Sequence, residues 1–197
     1  MDGSSAPFVY LVHEAGIRTQ TERRRYLRIQ RPVFVGSGEK SMAVYPADRF
    51  RISYTIRFDH PLVGYQTGTF DVTPEIYAAE IAPARTFCFL KEVEALRQKG
   101  LTLGGSLENA IVLDDVSILN DKLRFPDEFV RHKVLDAIGD LALLGLPLLG
   151  HVVAYRAGHA LHSELVAQLL ATPEAWAIET RAEDSRTAAP ALSPRLA

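Results

Sequence analysis

His132, Asp136 and Asp140 recur at i, i+4 and i+8, and His159 follows further along the same stretch. On a helix, at about 100° per residue, these three and Lys133 gather within about a third of the circumference. An exposed helix face ordinarily sets its acids four residues from bases. Here two carboxylates stand one turn apart, and they repel unless a cation or a protonated histidine sits among them. A histidine and an aspartate at i, i+4 can aim an imidazole nitrogen and a carboxylate oxygen at one metal ion, as the two histidines of an HExxH helix do. The same spacing also suits a solvated polar face with one hydrogen-bonded histidine.

The elements around this face are legible from pattern. Pro126, Asp127 and Glu128 stand where a helix N-terminus prefers a proline and acids, and Gly145 with Pro147 just beyond marks the stop. Val130, Val134, Ala137, Ile138 and Leu141 form a core-facing stripe. Residues 151–155 read as a strand, and Gly158-His159 enters a last helix to about residue 171. Upstream, residues 6–15 read as a short helix with Pro7 near its start, and Phe8, Leu11, Val12 and Ala15 share one face. No strand precedes it, so that face either closes a domain begun elsewhere or docks on the domain that follows. Residues 19–25 are polar and basic, a linker by composition.

Strands are expected at 26–29, 33–35 and 41–45, with a turn at 36–38. The clearest is 50–58, where Phe50, Ile52, Tyr54, Ile56 and Phe58 alternate with Arg51, Ser53, Thr55 and Arg57. One face is core and the other wet, as an antiparallel sheet requires. A shorter strand at 68–72 leads through Thr73-Pro74 into a helix to about residue 82. A β-α-β excursion follows: a strand through Leu90, a helix over 91–99 ended by Gly100, and extended segments to 110–113. Gly104-Gly105-Ser106 lacks the ending and context of a phosphate loop. Past Thr172-Pro173 the composition turns to Ala, Pro, Arg, Glu and Ser, and a loose tail is expected from about residue 180.

Composition narrows the class. The 197 residues are 47% hydrophobic and 23% charged with a net charge of −2, which gives no basic excess for nucleic acid. The single cysteine excludes an internal disulfide and fits a reducing compartment. Met1-Asp2-Gly3 has no basic n-region of a signal peptide, and the longest charge-free apolar run, 141–155, is too short to span a bilayer. Both readings point to the cytoplasm, with no transmembrane segment.

The stretch DEFVRHKVLDAIGDLALLG followed by AYRAGHAL closely resembles the second half of the LpxC family, the zinc-dependent UDP-3-O-acyl-N-acetylglucosamine deacetylases of lipid A synthesis. The resemblance extends upstream through ARTFCFLKEVEALRQKGLTLGGSLENAIVLDD to MDGSSAPFVYLV and covers residues 1–176. It implies an α+β fold, a mostly antiparallel sheet with helices packed on one face (ribosomal S5 domain 2-like), plus a small β-α-β insert at about 86–113. It divides the chain into the last helix of a first domain (1–17), a linker (18–25), the second domain (26–172) and a C-terminal tail (173–197). The family's first domain carries a Thr-Val-Glu-His segment with a zinc histidine and the general-base glutamate, and neither occurs here. The resemblance therefore implies a shortened form, inactive alone, and as a partner a separate first-domain polypeptide.

It also implies roles. A catalytic zinc keeps three protein ligands and one exchangeable water whose pKa falls to about 7. His132 and Asp136 correspond to two of the ligands. His159 stands at a helix start, where the dipole disfavours its charged form, and Asp140 is the partner that restores it. Together they stabilise the oxyanion and protonate the departing amine of the UDP-acyl-glucosamine substrate, and Thr86 corresponds to a hydroxyl on the same oxyanion. Lys133, Phe87, Gly105 and Leu107 correspond to substrate-binding positions. Phe89, Leu101, Leu103 and Leu107 would line the acyl passage, although the residues by themselves favour ordinary core. Glycine is expected at Cys88, and often an aromatic at Leu107. His13, His60, His151 and His162 match no catalytic position. A non-catalytic remnant that kept the fold is the alternative, while HD phosphohydrolases need adjacent His-Asp, which Lys133 interrupts.

Overall fold

The alternation at residues 50–58 sets the frame of the molecule. In the computed structural model, which describes residues 2–98, 100, 104–120 and 122–181, strand β4 (Phe50–Arg57) buries Ile52, Tyr54 and Ile56. Its other face is a polar ladder against β5 (Tyr65–Asp71). Ser53 and Thr55 share hydrogen bonds of 2.9 Å with Thr69 and Thr67, and Arg51 grips Asp71 through two bonds of 2.6 and 2.9 Å. One face is therefore dry and the other wet.

β8 (Leu148–Tyr155) joins the two halves of the sheet. It runs antiparallel to β3 (Lys40–Tyr45) and parallel to β4, and its first two residues pair in parallel with β1 (Arg24–Ile29). β2 (Val33–Ser37) flanks β3, and β9 (Trp176–Arg181) flanks β1, both antiparallel. Over the dry face lie α4 (Glu128–Leu141), against β4 and β5, and α5 (His159–Ala171), against β2 and β3. Phe129, Val130, Val134 and Ala137 of α4 and Leu165 and Leu169 of α5 close the core on Leu27, Val44, Ile52 and Val152. The α+β class, the mostly antiparallel sheet and the one-sided helices are as expected. So is the insert: β6 (Phe87–Phe89) and β7 (Ile111–Leu113) pair in parallel, linked through α3 (Leu90–Gln98).

The end of α4 follows its sequence signal. Gly145 adopts φ 74° and ψ −6°, the left-handed geometry that glycine takes without a Cβ clash, after a 3-10 turn over Ala142–Leu144. Of its expected stripe, Ile138 is only partly buried.

Elsewhere the pattern misled. Residues 173–181 do not form a tail. β9 pairs along its whole length, from Arg24 with Arg181 to Ile29 with Trp176, and the Trp176 indole N–H donates to the Leu169 carbonyl at 2.9 Å. The open edge of β1 needs partners for its backbone groups, and β9 supplies them. β1 itself begins inside the expected linker. The remainder of the expected tail, 182–197, lies outside the described residues, as do Leu101 and Leu103. The helix expected over 74–82 is a single α turn, α2 (Pro74–Ile76), followed by a π-helical turn, Tyr77–Ile81. α1 (Ala6–Ala15) forms where expected, but the domain that follows does not cover its apolar face: Phe8, Leu11 and Val12 are 52%, 61% and 58% exposed. It is tied at its start, where Ser5 and Ala6 donate N–H bonds to the Ala82 carbonyl.

Candidate functional site

α4 projects its polar face beside the start of α5. His132 is nearly buried, and its Nδ1–H donates to the Ala84 carbonyl at 3.1 Å. A carbonyl can only accept, so Nδ1 carries a proton, and Nε2 faces outward, 3.2 Å from Asp136 Oδ1. Asp136 Oδ2 accepts from the Lys133 ammonium at 2.8 Å and lies 3.9 Å from His159 Nε2. Burial opposes the charge on Asp136, but the hydrogen bond and charge of His132, with Lys133, outweigh it and hold the carboxyl well below its usual range.

One turn on, Asp140 Oδ2 meets two histidines. Nδ1 of the exposed His159 lies at 2.6 Å, and Nδ1 of the fully buried His162 at 2.7 Å. On its other side, His162 Nε2 is 3.0 Å from the Tyr54 hydroxyl, whose single O–H serves either that nitrogen or the Ala157 carbonyl 2.8 Å away. Burial draws the pKa of His162 below the ordinary histidine value, against the pull of Asp140, and pushes the Tyr54 phenol up.

Two sets of side chains here could hold a metal. Among the described residues, Asp140, His159 and His162 place three ligand atoms within 4.8 Å of one another. Their separations on one oxygen, 2.6 and 2.7 Å, are those of hydrogen bonds, tighter than the edge of about 3.3 Å that a tetrahedral zinc imposes on its ligands. The 3.2 Å between His132 Nε2 and Asp136 Oδ1 does match that edge, and the Ala84 carbonyl occupies Nδ1, which leaves Nε2 as the nitrogen that could ligate.

The loop before β6 completes the wall. Thr86 is fixed through its backbone: its N–H donates to the Gly3 carbonyl at 2.8 Å and its carbonyl accepts from Ile111 at 2.7 Å. Gly3 has φ 79°, and a Cβ there would lie 2.1 Å from the Asn109 carbonyl oxygen, so only glycine brings the chain this close. Next to Thr86, Arg85 and the buried Glu128 are joined by bonds of 2.8 and 3.0 Å, and Glu128 also accepts the Arg85 and Arg124 backbone N–H groups. Burial penalises the Glu128 charge, but those donors more than compensate and hold its carboxyl below its usual range. Fully engaged there, it is not available as a base.

A mostly apolar cavity of about 720 Å³ opens between this wall and the insert. Thr86, Phe87, Gly105, Leu107, His132 and Lys133 all border it, so six of the nine residues singled out in the sequence meet at one cavity. Asp136, Asp140 and His159 continue from it along α4 to the head of α5. Phe87 is the pivot: its ring packs edge-on against Phe129 at 5.0 Å and Phe58 at 5.6 Å, and the Lys133 ammonium stands 5.7 Å above it. Leu107 is 53% exposed, so it is wall rather than core, whereas Phe89 borders the cavity while also packing on the core. Cys88 borders the cavity too, and burial raises its thiol pKa.

His162 and Tyr54 are the members that sequence reasoning missed. The signal available was the His-x2-His spacing of 159 and 162, which puts both on one helix face. The other set-aside histidines are elsewhere. His60 donates from Nε2 to the Asp114 carbonyl at 2.9 Å, and His151 bonds Ser53 on the wet sheet face.

Comparison with known proteins gives the family. The sequence model of the family LpxC, UDP-3-O-acyl N-acetylglycosamine deacetylase, matches residues 1–171. The UDP-3-O-acyl-N-acetylglucosamine deacetylase of Nitratidesulfovibrio vulgaris is 57% identical over 170 residues, 86% of this chain and 55% of that protein. Those of Myxococcus xanthus and Syntrophotalea carbinolica are 52% and 51% identical, covering 90% and 89% of this chain and 57% of each relative. The chain thus spans little more than half the length of the curated relatives it matches.

Proposed function

The chain belongs to the LpxC family of UDP-3-O-acyl N-acetylglycosamine deacetylases, and we propose that it carries the metal-and-acid half of that active site. The observation behind this reading is the continuous line from His132 Nε2 through Asp136 to His159 and Asp140, at one side of a largely apolar cavity. The proposed reaction is hydrolysis of the 2-acetamido group of UDP-3-O-(3-hydroxyacyl)-N-acetylglucosamine, releasing acetate and a free amine, in the cytoplasm.

His132 and Asp136 would hold zinc, since Nε2 is the ring nitrogen left outward and the ligand spacing fits it. Bound there, zinc supplies a Lewis acid for the carbonyl and lowers the pKa of water to about 7. The protein's own groups do the rest. Thr86 and His159 donate to the oxyanion as the carbonyl becomes tetrahedral. Asp140, accepting from Nδ1 of His159, fixes the ring so that Nε2 is aimed at the departing amine. The Lys133 ammonium, beside Asp136 and over Phe87, binds the substrate near the reacting group. The apolar cavity takes the hydroxyacyl chain, with Phe87, Leu107 and Gly105 as wall.

A third ligand and a general base are still required, and the nearby acids are committed: Asp136 to the metal, Asp140 to His159, and Glu128 to Arg85. We propose that both come from a further domain, in the same polypeptide or a separate one, that docks on the bare apolar face of α1. The test is acetate release by this chain joined to such a domain. His159→Gln should cut turnover by about 10²–10⁴-fold, the usual contribution of a positioned acid. Undiminished turnover in that variant would refute these roles.

A further inference from the structure

His162 is fully buried, matches none of the positions assigned above, and yet hydrogen-bonds a carboxylate of the site. It lies one turn past His159 on α5, with Nδ1 2.7 Å from Asp140 Oδ2. That oxygen is the one His159 uses, at 2.6 Å. A carboxylate oxygen accepts, so Nδ1 of His162 carries a proton whichever way the Tyr54 hydroxyl turns. Tyr54, itself buried in the middle of β4, backs the far side of the ring with its hydroxyl 3.0 Å from Nε2 and 2.8 Å from the carbonyl of Ala157, two residues before His159.

Asp140 has two rotatable side-chain bonds and its carboxylate is only partly buried, 24% exposed, while His159 is 67% exposed. An exposed histidine on a movable aspartate would be poorly aimed. With a second donor fixed in the core, the carboxylate is held in one rotamer. We propose that His162, braced by Tyr54, is a positioning residue: it clamps Asp140 so that Oδ2 holds His159 with Nε2 towards Asp136. This rests on the functional reading above only for its catalytic consequence. The clamp itself is a statement about the chain alone.

Two substitutions separate positioning from packing. In His162→Asn the amide nitrogen falls near the place of Nδ1 and keeps the bond to Asp140. In His162→Gln the amide falls near Nε2, keeps Tyr54 and loses Asp140. Proton NMR of the 197-residue chain reads the clamp through the hydrogen-bonded Nδ1–H resonance of His159, assigned by its loss in His159→Gln. The clamp predicts that this resonance persists in His162→Asn and exchanges away in His162→Gln, though both variants stay folded. In the chain joined to a completing domain, His162→Gln should lower kcat by about 10–100-fold, the usual cost of losing such an outer partner, with KM unchanged. His162→Asn should stay near wild type. A persistent resonance in His162→Gln, or equal loss in both variants, would overturn the proposal. If the unsubstituted joined protein releases no acetate, the functional reading fails, while the NMR comparison still decides the clamp.

Discussion

At the residue scale, neighbours fix the Nδ1 protons of the three histidines: the Ala84 carbonyl holds that of His132, and Asp140 gathers those of His159 and His162. The shared face of His132, Asp136 and Asp140 was legible because i, i+4 spacing translates directly into it, and His159 meets that face from the start of α5. His162 was missed: its spacing from His159 shows only a shared helix face, and its partners Asp140 and Tyr54 come from other elements. On the proposed reading the chain offers two ligands where a tight catalytic site uses three, so it should bind zinc weakly. Calorimetric titration should show binding that a mild chelator reverses, weakened further in His132→Ala and Asp136→Ala. One tightly held zinc per chain would mean that a third residue of this chain completes the site, with His159 the first suspect.

At the element scale, the long periodic segments α4 and β4 were read correctly, and the errors lie where non-local pairing decides. The sequence of β9, WAIETR, carries two charges in six residues after a Thr-Pro break, and only its partner β1, some 150 residues earlier, makes it a strand. Two measurements test how the elements hold the site. The Arg85–Glu128 pair fastens the segment bearing Ala84 and Thr86 to the start of α4, with the Glu128 side chain wholly buried. Glu128→Gln leaves Arg85 without its counter-charge, and chemical denaturation should show a loss of about 3–5 kcal/mol. Because the Glu128 carboxyl is held below its unfolded value, its stabilisation is present above the unfolded pKa of about 4.3 and is lost as pH falls through the folded one. Leu107 gives the opposite case. As exposed wall, Leu107→Gln should change stability by no more than about 0.5 kcal/mol while weakening binding of a hydroxyacyl ligand in the completed enzyme. A loss of about 2–5 kcal/mol would restore the core reading.

At the scale of the whole molecule, a well-packed α+β body carries one helix whose apolar face is bare. Phe8, Leu11 and Val12 make a contiguous stripe of the kind that ordinarily meets a partner. On the proposed reading that partner brings the general base and the third ligand, and it forms the other wall of the cleft. Leu11→Arg should then leave the melting temperature of the isolated chain unchanged and block completion by a separately made domain. The most direct measurement is acetate release from UDP-3-O-(3-hydroxyacyl)-N-acetylglucosamine, with the chain alone and with the chain covalently joined to a domain bearing the Thr-Val-Glu-His segment. The account predicts no turnover from the chain alone, since a missing base costs about 10²–10⁴-fold before the loss of the third ligand is counted, and zinc-dependent turnover once joined. Robust zinc-dependent turnover by the chain alone would contradict it. No turnover even when joined would leave the fold as a non-catalytic remnant.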